Sequence, residues 1–147
     1  MTDIAFHFNA PDKLAYACRL LRKAVGSGAK AVVLASADDV ARLDTQLWTF
    51  SALEFIPHCR ADSAPELLAQ SPVVLATRLS EGLPHREVLV HLGDSVPPGF
   101  ETFARVIEVV SLDEADRQLA RQRWKRYTEL GYTLLRHDLN LREPATG

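Results

Sequence analysis

Cysteine is scarce in this chain of 147 residues, and long apolar runs are missing. Its two cysteines, Cys18 and Cys59, lie far apart and in no CxxC or zinc-binding spacing, which argues against a disulfide framework or a structural metal site. No apolar run approaches the roughly 18–20 residues needed to cross a bilayer, and the first residues lack the regions of a secretion signal. We therefore expect a cytoplasmic protein with reduced thiols.

An excess of positive charge is also missing. Lys and Arg number 17 against 19 Asp and Glu, which gives a net charge of −2. Bulk electrostatic binding to nucleic acid or anionic lipid is disfavoured for such a chain, so any recognition of anions must be local. With 47% hydrophobic and 24% charged residues, the chain is suited to one well-cored domain over residues 1–147.

The motifs of common cofactor sites and catalytic sites are absent from the sequence. A dinucleotide fingerprint would place GxGxxG directly after the first strand, where the chain reads NAPD at residues 9–12. The GSGAK stretch at 26–30 lacks the ending of a phosphate loop and is interpreted as a helix cap. The five histidines form no HExxH motif, and no serine lies in GxSxG. We predict no catalytic residue, metal or cofactor, although a triad assembled through space stays open.

Apolar strands alternate with amphipathic helices along the chain. Strands are predicted at 4–8, 30–35, 73–76, 87–92 and 105–110, with a weaker extended segment at 55–57. Helices are predicted from Pro11 to Gly26, at 38–48 behind an N-cap at Ser36, at 64–70, and near the C-terminus. This alternation predicts an α/β fold with a three-layer, doubly wound, mostly parallel sheet. The stretch at 136–147 is polar and contains Pro and Gly, so its last few residues are expected to be loosely ordered.

The stretch at 118–127, QLARQRWKRY, carries four basic residues and no acidic one. Because it contains neither Gly nor Pro, it is predicted to be helical. One face of this helix gathers Arg117, Arg121, Trp124, Lys125 and Thr128. The opposite face, expected to pack on the core, gathers Leu112, Leu119 and Leu130. The cationic face is either a solvated surface or, given an exposed tryptophan among arginines, a hot spot for an acidic ligand with one apolar group.

A second group of large apolar residues surrounds the end of the helix predicted at 38–48. The sequence LDTQLW ends at Trp48, and Phe50 and FIPH at 55–58 follow it. These residues either close the core beneath a loop or form a hydrophobic surface for another protein. Both interpretations stay open at this point.

These two stretches together resemble the chi subunit of bacterial DNA polymerase III holoenzyme. The resemblance rests on RLDxxLW with FIPH downstream, and on QLARxRWKxY followed by Gly131 and Tyr132; it covers nearly the whole chain in length and element order. It implies a nucleotide-binding-like α/β fold without nucleotide binding, and a non-catalytic adaptor. One surface of chi proteins binds the psi subunit and so joins the clamp loader. Another binds the acidic C-terminal tail of the single-stranded-DNA-binding protein, which ends in aspartates and a phenylalanine.

The resemblance also implies site residues. Arg121 and Lys125 are expected to pair with the acidic groups of the tail and Trp124 to pack on its apolar end, with Arg117 and Thr128 flanking them. The residues implied for the psi interface are Trp48, Phe55, Pro57 and His58.

Two other functions stay open beside the adaptor. The first is a nucleotide-dependent enzyme on the same fold, for which binding of ATP or NAD would be the sign. The second is direct binding of single-stranded DNA by the C-terminal helix, for which retention of naked DNA on a filter would be the sign.

Overall fold

The computed structural model describes residues 2–49, 56–79 and 82–139. Within these ranges seven strands form one parallel sheet in the order β3-β4-β2-β5-β6-β1-β7. The strands are β1 Asp3–Ala10, β2 Ala31–Leu34, β3 His58–Arg60, β4 Val73–Ala76, β5 Val88–His91, β6 Arg105–Ser111 and β7 Leu134–Asp138. The helices are α1 Lys13–Gly26, α2 Ala37–Thr49, α3 Pro65–Gln70 and α4 Glu114–Glu129, and a 3-10 turn covers Phe100–Thr102.

The sheet separates two apolar layers. Buried residues of α1 and α2 pack on one face, whereas Ala120 and Tyr127 of α4, Leu68 of α3 and the rings of Phe100 and Phe103 pack on the other. The central strands β2, β4 and β5 are buried along their whole length, which is why their sequences read as continuous apolar runs. This arrangement confirms the predicted three-layer, doubly wound α/β fold.

The helix ends follow the capping signals in the sequence. Asp12 accepts a hydrogen bond from the backbone N–H of Ala15 and caps α1, while Ser36 Oγ accepts one from the N–H of Asp39 at the start of α2. Gly28 adopts φ +86° just after α1, in the left-handed region that glycine tolerates best. Cys18 lies on the buried face of α1, where burial raises the pKa of its thiol to about 11.

One edge strand begins later than the sequence indicated, and the strand at the other edge was not predicted. The segment at 55–57 was expected to be extended, but the edge strand begins one residue later at His58, and Phe55 lies outside the described residues. At the other edge, β7 was not predicted from the sequence; it pairs with β1 from Ile4↔Leu134 to Phe8↔Asp138. Backbone hydrogen bonding to an otherwise open edge orders this polar stretch despite its composition. Residues 140–147 lie outside the described residues.

The predicted core face of α4 is also wrong. Leu112 precedes the helix and Leu130 follows it, and both are exposed, at 46% and 43%. The buried residues of α4 are instead Ala120, Arg123 and Tyr127. The helix turns this face to the sheet because Arg123 and Tyr127 bond a carboxylate there, which the leucine pattern could not reveal.

Candidate functional site

A cavity of about 320 Å³ opens between α4 and the paired strands β1 and β7, of which β7 is the edge of the sheet. We call it the arginine–tryptophan pocket; its described lining residues are Phe8, Asn9, Arg117, Arg121, Trp124 and Arg136. Three of the six are arginines, and two carry aromatic rings. The pocket therefore joins a concentrated positive charge to an apolar surface.

Strand alternation builds the aromatic half of this pocket. Phe6 and Phe8 point to the α4 side of β1, and the indole of Trp124 packs against both rings, at centroid distances of 5.1 and 6.1 Å. The guanidinium of Arg136 on β7 lies 4.8 Å from the centroid of the Phe8 ring. Trp124 is consequently half-buried and held in place, rather than the fully exposed indole that we expected.

Few carboxylates neutralise the pocket. Arg121 contacts Glu114 at 3.4 Å, but both side chains are largely exposed, so that ion pair is weak. Arg136 approaches Asp138 only to 4.0 Å. Arg117 has no ion-pair partner within the described ranges. The arginines can therefore take an incoming carboxylate at little cost in existing contacts.

The structure brings together three of the five residues predicted for tail binding. Arg117, Arg121 and Trp124 share the pocket, whereas Lys125 is exposed and does not line it. The Thr128 hydroxyl donates to the backbone carbonyl of Trp124 and does not line the pocket either.

Sequence reasoning missed the pocket residues that come from the two strands. They are Phe8, Asn9 and Arg136. The alternating aromatics of IAFHF gave a signal for Phe8, because residues 6 and 8 of a strand share one face. No sequence signal marked Arg136, since its position depends on β7 pairing with β1.

Trp48 and its neighbours form a second exposed surface, at the C-terminal end of α2. Trp48 is 60% exposed, and its ring lies 5.4 Å from the imidazole of His58. His58 is held by Asp44, whose Oδ1 lies 2.9 Å from Nε2, and Arg60 bonds the other oxygen of the same carboxylate. Pro57 is exposed beside them. Trp48 therefore does not close the core, and with Pro57 it defines what we call the Trp48 patch; the side chain of His58, predicted for the same surface, is only 1% exposed and lies buried beside the indole.

A buried polar cluster lies beneath α4, and sequence reasoning missed it. The Glu108 carboxylate accepts hydrogen bonds from Arg123 Nε at 3.0 Å, from Tyr127 Oη at 2.7 Å and from His91 Nδ1 at 2.7 Å. Arg123 Nη1 also donates to the carbonyl of Asp94. We call these groups the Glu108 cluster. The sequence contained one signal for this cluster, because Glu108 is the only acidic residue in the apolar strand sequence RVIEVV. A carboxylate that is buried in such a strand requires a partner.

Charge balance fixes the protonation of this cluster. Burial acts to raise the pKa of Glu108, but the nearby His91 and Arg123 and the hydrogen bonds outweigh it and hold that pKa below its usual range. Burial and the Glu108 charge raise the pKa of Tyr127, so its hydroxyl stays a donor. The hydrogen bonds of the cluster join α4 to β5 and β6. They thereby position the helix that carries Arg121 and Trp124.

The site at the carboxyl end of β1 is built differently from a dinucleotide site. The N-terminus of α1 is capped by the Asp12 carboxylate, which places negative charge where a phosphate would bind. Lys13 Nζ is engaged by the carbonyl of Leu92 and by Asp116. In the part of the chain that the structure describes, no group of three His, Cys, Asp or Glu side chains could hold a metal ion. No described helix is both long and apolar enough to cross a membrane.

The chain is similar to proteins of known identity over most of its length. A family model described as DNA polymerase III chi subunit, HolC, matches residues 1–135. The DNA polymerase III subunit chi of Pseudomonas aeruginosa PAO1 is 39% identical over 129 residues, covering 86% of this chain and 87% of the relative. That of Escherichia coli K12 is 31% identical over 119 residues, covering 80% and 79%. That of Haemophilus influenzae Rd is 27% identical over 119 residues, covering 80% and 81%.

The fold and these matches define an accessory, non-catalytic subunit of a DNA polymerase that acts in replication. The chain belongs to the DNA polymerase III chi subunit family. The resemblance inferred from its two motifs is thereby confirmed.

Proposed function

We propose that this chi-family chain is an adaptor that holds the acidic, phenylalanine-ended C-terminal tail of the single-stranded-DNA-binding protein in the arginine–tryptophan pocket. One observation carries the proposal: three arginines and the rings of Phe8 and Trp124 converge on a single cavity of about 320 Å³. A tail that combines carboxylates with one aromatic ring has the complementary chemistry.

Each group in the pocket has a role in this binding. Arg117 and Arg121 lie one helical turn apart on α4 and face the cavity, where they pair with tail aspartates or the terminal carboxylate. The terminal phenylalanine packs on Trp124, whose indole is already fixed by Phe6 and Phe8. Arg136 closes the pocket from β7. Because much of this attraction is between exposed charges, the affinity is micromolar and weakens as salt is added.

The second half of the adaptor function is assigned to the Trp48 patch. An indole that is 60% exposed beside an ordered imidazole and a proline has the composition of an interface anchor. We assign the psi subunit to this surface, so that the protein joins the clamp loader to coated DNA in the cytoplasm. Phe55, which the resemblance also implies for this interface, lies outside the described residues.

Titration with a synthetic tail peptide tests the pocket. A Trp48→Phe background leaves Trp124 as the only tryptophan, so its fluorescence reports binding. We expect saturable binding, about tenfold weaker for Arg121→Ala and abolished when the terminal phenylalanine is removed. Arg126→Ala is the matched control, because Arg126 lies on α4 but does not line the pocket. Unchanged binding by Arg121→Ala would contradict the assignment.

Co-purification with the psi subunit tests the Trp48 patch. Trp48→Ala should lose psi while retaining the tail peptide, and Trp124→Ala should do the reverse. Loss of both partners by either variant would show a folding defect, and circular dichroism of each variant serves as the control.

A further inference from the structure

A second cationic cavity, of about 730 Å³, opens on the opposite side of β1 and β7 from the arginine–tryptophan pocket. We call it the α1 groove; its described lining residues are His7, Tyr16, Arg19, Leu20, Arg22, Lys23, Arg105 and His137. Four of these eight side chains are permanently cationic, and none of the described lining residues is acidic. Such a concentration is unusual in a chain whose net charge is −2.

The fold leaves this face of the sheet edge accessible. Helix α1 packs on α2 and, within the sheet, on β6 and β2, and the α1-facing residues of β7, Leu135 and His137, are both exposed. Leu135 is 65% exposed, the largest value among the exposed large apolar residues of the described chain. The ring of His137 lies 4.8 Å from that of His7 on the paired strand. The groove thus has a cationic rim and a floor of rings and apolar surface.

Three of the four cations of the rim form no ion pair with a carboxylate among the described residues. Arg19, Lys23 and Arg105 make no ion pair with any carboxylate in the described ranges. Asp3 stands opposite Arg105 in the strand register but forms no ion pair with it. Arg19 and Lys23 lie four residues apart on α1, so their like charges repel one another. A bound polyanion would relieve that repulsion.

We propose that the α1 groove binds single-stranded DNA. Its phosphates contact Arg19, Lys23 and Arg105, and an unstacked base packs on the exposed ring of His137. A single strand is favoured over a duplex because stacking on a side chain requires an unpaired base. It is favoured over an acidic peptide because the groove combines cations from α1 and β6 with the exposed imidazole of His137, on which a base can stack. This proposal does not depend on the tail-binding pocket.

The two cationic sites are placed back to back. Along β7, Arg136 points to the arginine–tryptophan pocket and His137 points to the α1 groove; along β1, Phe8 and His7 divide in the same way. A DNA strand in the groove would therefore leave the other pocket open. Both ligands can bind one molecule together.

Fluorescence anisotropy of a labelled oligothymidylate of about 16 nucleotides, without any other protein, tests the proposal. With three phosphate contacts, affinity should fall roughly twenty-fold between 50 and 200 mM salt. Arg19→Gln/Lys23→Gln should weaken binding about tenfold at 50 mM salt and flatten the salt dependence to that of about one contact. Lys30→Gln/Arg42→Gln removes the same charge from exposed positions outside the groove and should change little.

Several outcomes would overturn the proposal. These are no binding at 50 mM salt, equal losses in the two double variants, or equally tight binding of duplex DNA or polyglutamate. A loss caused by Arg121→Gln as large as that of Arg19→Gln/Lys23→Gln would also overturn it, because the DNA would then occupy the other face. The tail-peptide titration is independent of all these results, so failure here and failure of the adaptor proposal are distinguishable.

Discussion

Arg121 and Arg123 lie two residues apart on α4 and have opposite environments. The Arg121 side chain is 60% exposed and lines the arginine–tryptophan pocket, whereas that of Arg123 is 1% exposed and bonds Glu108 beneath the helix. In the sequence both belong to one basic stretch. Charge within an amphipathic helix therefore does not identify a binding residue. The groups on the facing strands determine which arginine has a structural role.

The Glu108 cluster beneath α4 has an energetic cost that the arginine–tryptophan pocket does not have. Removing a carboxylate and a guanidinium from water is expensive, and Arg123 Nη2 is buried without a hydrogen-bond partner among the described residues. The three donors around Glu108 offset part of this cost. Deleting any one of them leaves the buried Glu108 carboxylate with fewer donors. We therefore expect substitutions in the Glu108 cluster to lower stability and substitutions in the arginine–tryptophan pocket to lower affinity.

The largest expected effect is a loss of stability. Arg123→Met should lower the free energy of unfolding by about 3–5 kcal/mol, because it removes the guanidinium from the buried Glu108 carboxylate and leaves it with only the His91 and Tyr127 donors. Arg121→Met, at the exposed position, should change it by no more than about 0.5 kcal/mol. Urea unfolding followed by circular dichroism measures both. Equal effects of the two substitutions would remove the distinction between the sites.

The next effect is a loss of stability in acid. Because the folded pKa of Glu108 is held below its ordinary value of 4.5, its contribution is complete above that value and is lost as the pH falls through the folded pKa. Asp116 contributes in the same direction, since the backbone N–H of Ser111 and the charge of Lys13 outweigh its desolvation and lower its pKa. Urea midpoints between pH 7 and pH 3 should fall less steeply in Glu108→Gln than in the parent protein. Glu129→Gln, an exposed control, should keep the parental slope.

A smaller effect is expected on the affinity for the tail peptide when the ring of Trp124 is removed from the arginine–tryptophan pocket. Trp124→Ala should weaken tail binding roughly thirty-fold, equivalent to about 2 kcal/mol, because it removes the surface that receives the phenylalanine. Isothermal titration calorimetry measures the affinity, and Trp48→Ala is the matched control because Trp48 does not line the pocket. A loss of affinity in Trp48→Ala of the same size would mean that the tail does not sit on α4.

The smallest effect concerns Lys125. Since Lys125 is exposed and does not line the pocket, Lys125→Ala should weaken tail binding only about two- to threefold at low salt and hardly at all at 0.3 M salt. Titrations at both salt concentrations measure this. A salt-insensitive tenfold loss would indicate a direct contact and would widen the site along the helix.

The sequence predicted those elements whose pattern of buried residues is set within a single segment of the chain. The apolar runs of β2, β4 and β5 and the cap at Ser36 predicted their elements because these patterns depend on neighbours in the chain. Strand β7 was not predictable in this way, since its polar residues are ordered by pairing with β1. The burial of Arg123 likewise depends on Glu108, 15 residues away on a different element.

The residues of the candidate site also divide into those that local sequence patterns predicted and those that depend on strand pairing. Its α4 half, with Arg117, Arg121 and Trp124, followed from helical periodicity and from the resemblance. Its strand half, with Phe8 and Arg136, required the parallel register of two strands that are far apart in the sequence.

The register of β7 sets which side of the sheet each of its residues serves. Even-numbered positions such as Arg136 face α4, and odd-numbered positions such as His137 face α1. One extra residue after Gly131, in the connection to α4, would shift this parity and exchange the two side chains between the cavities. The number of residues between α4 and β7 therefore determines which side chains of β7 face each of the two cavities. The length of this connection matters more for both sites than its composition.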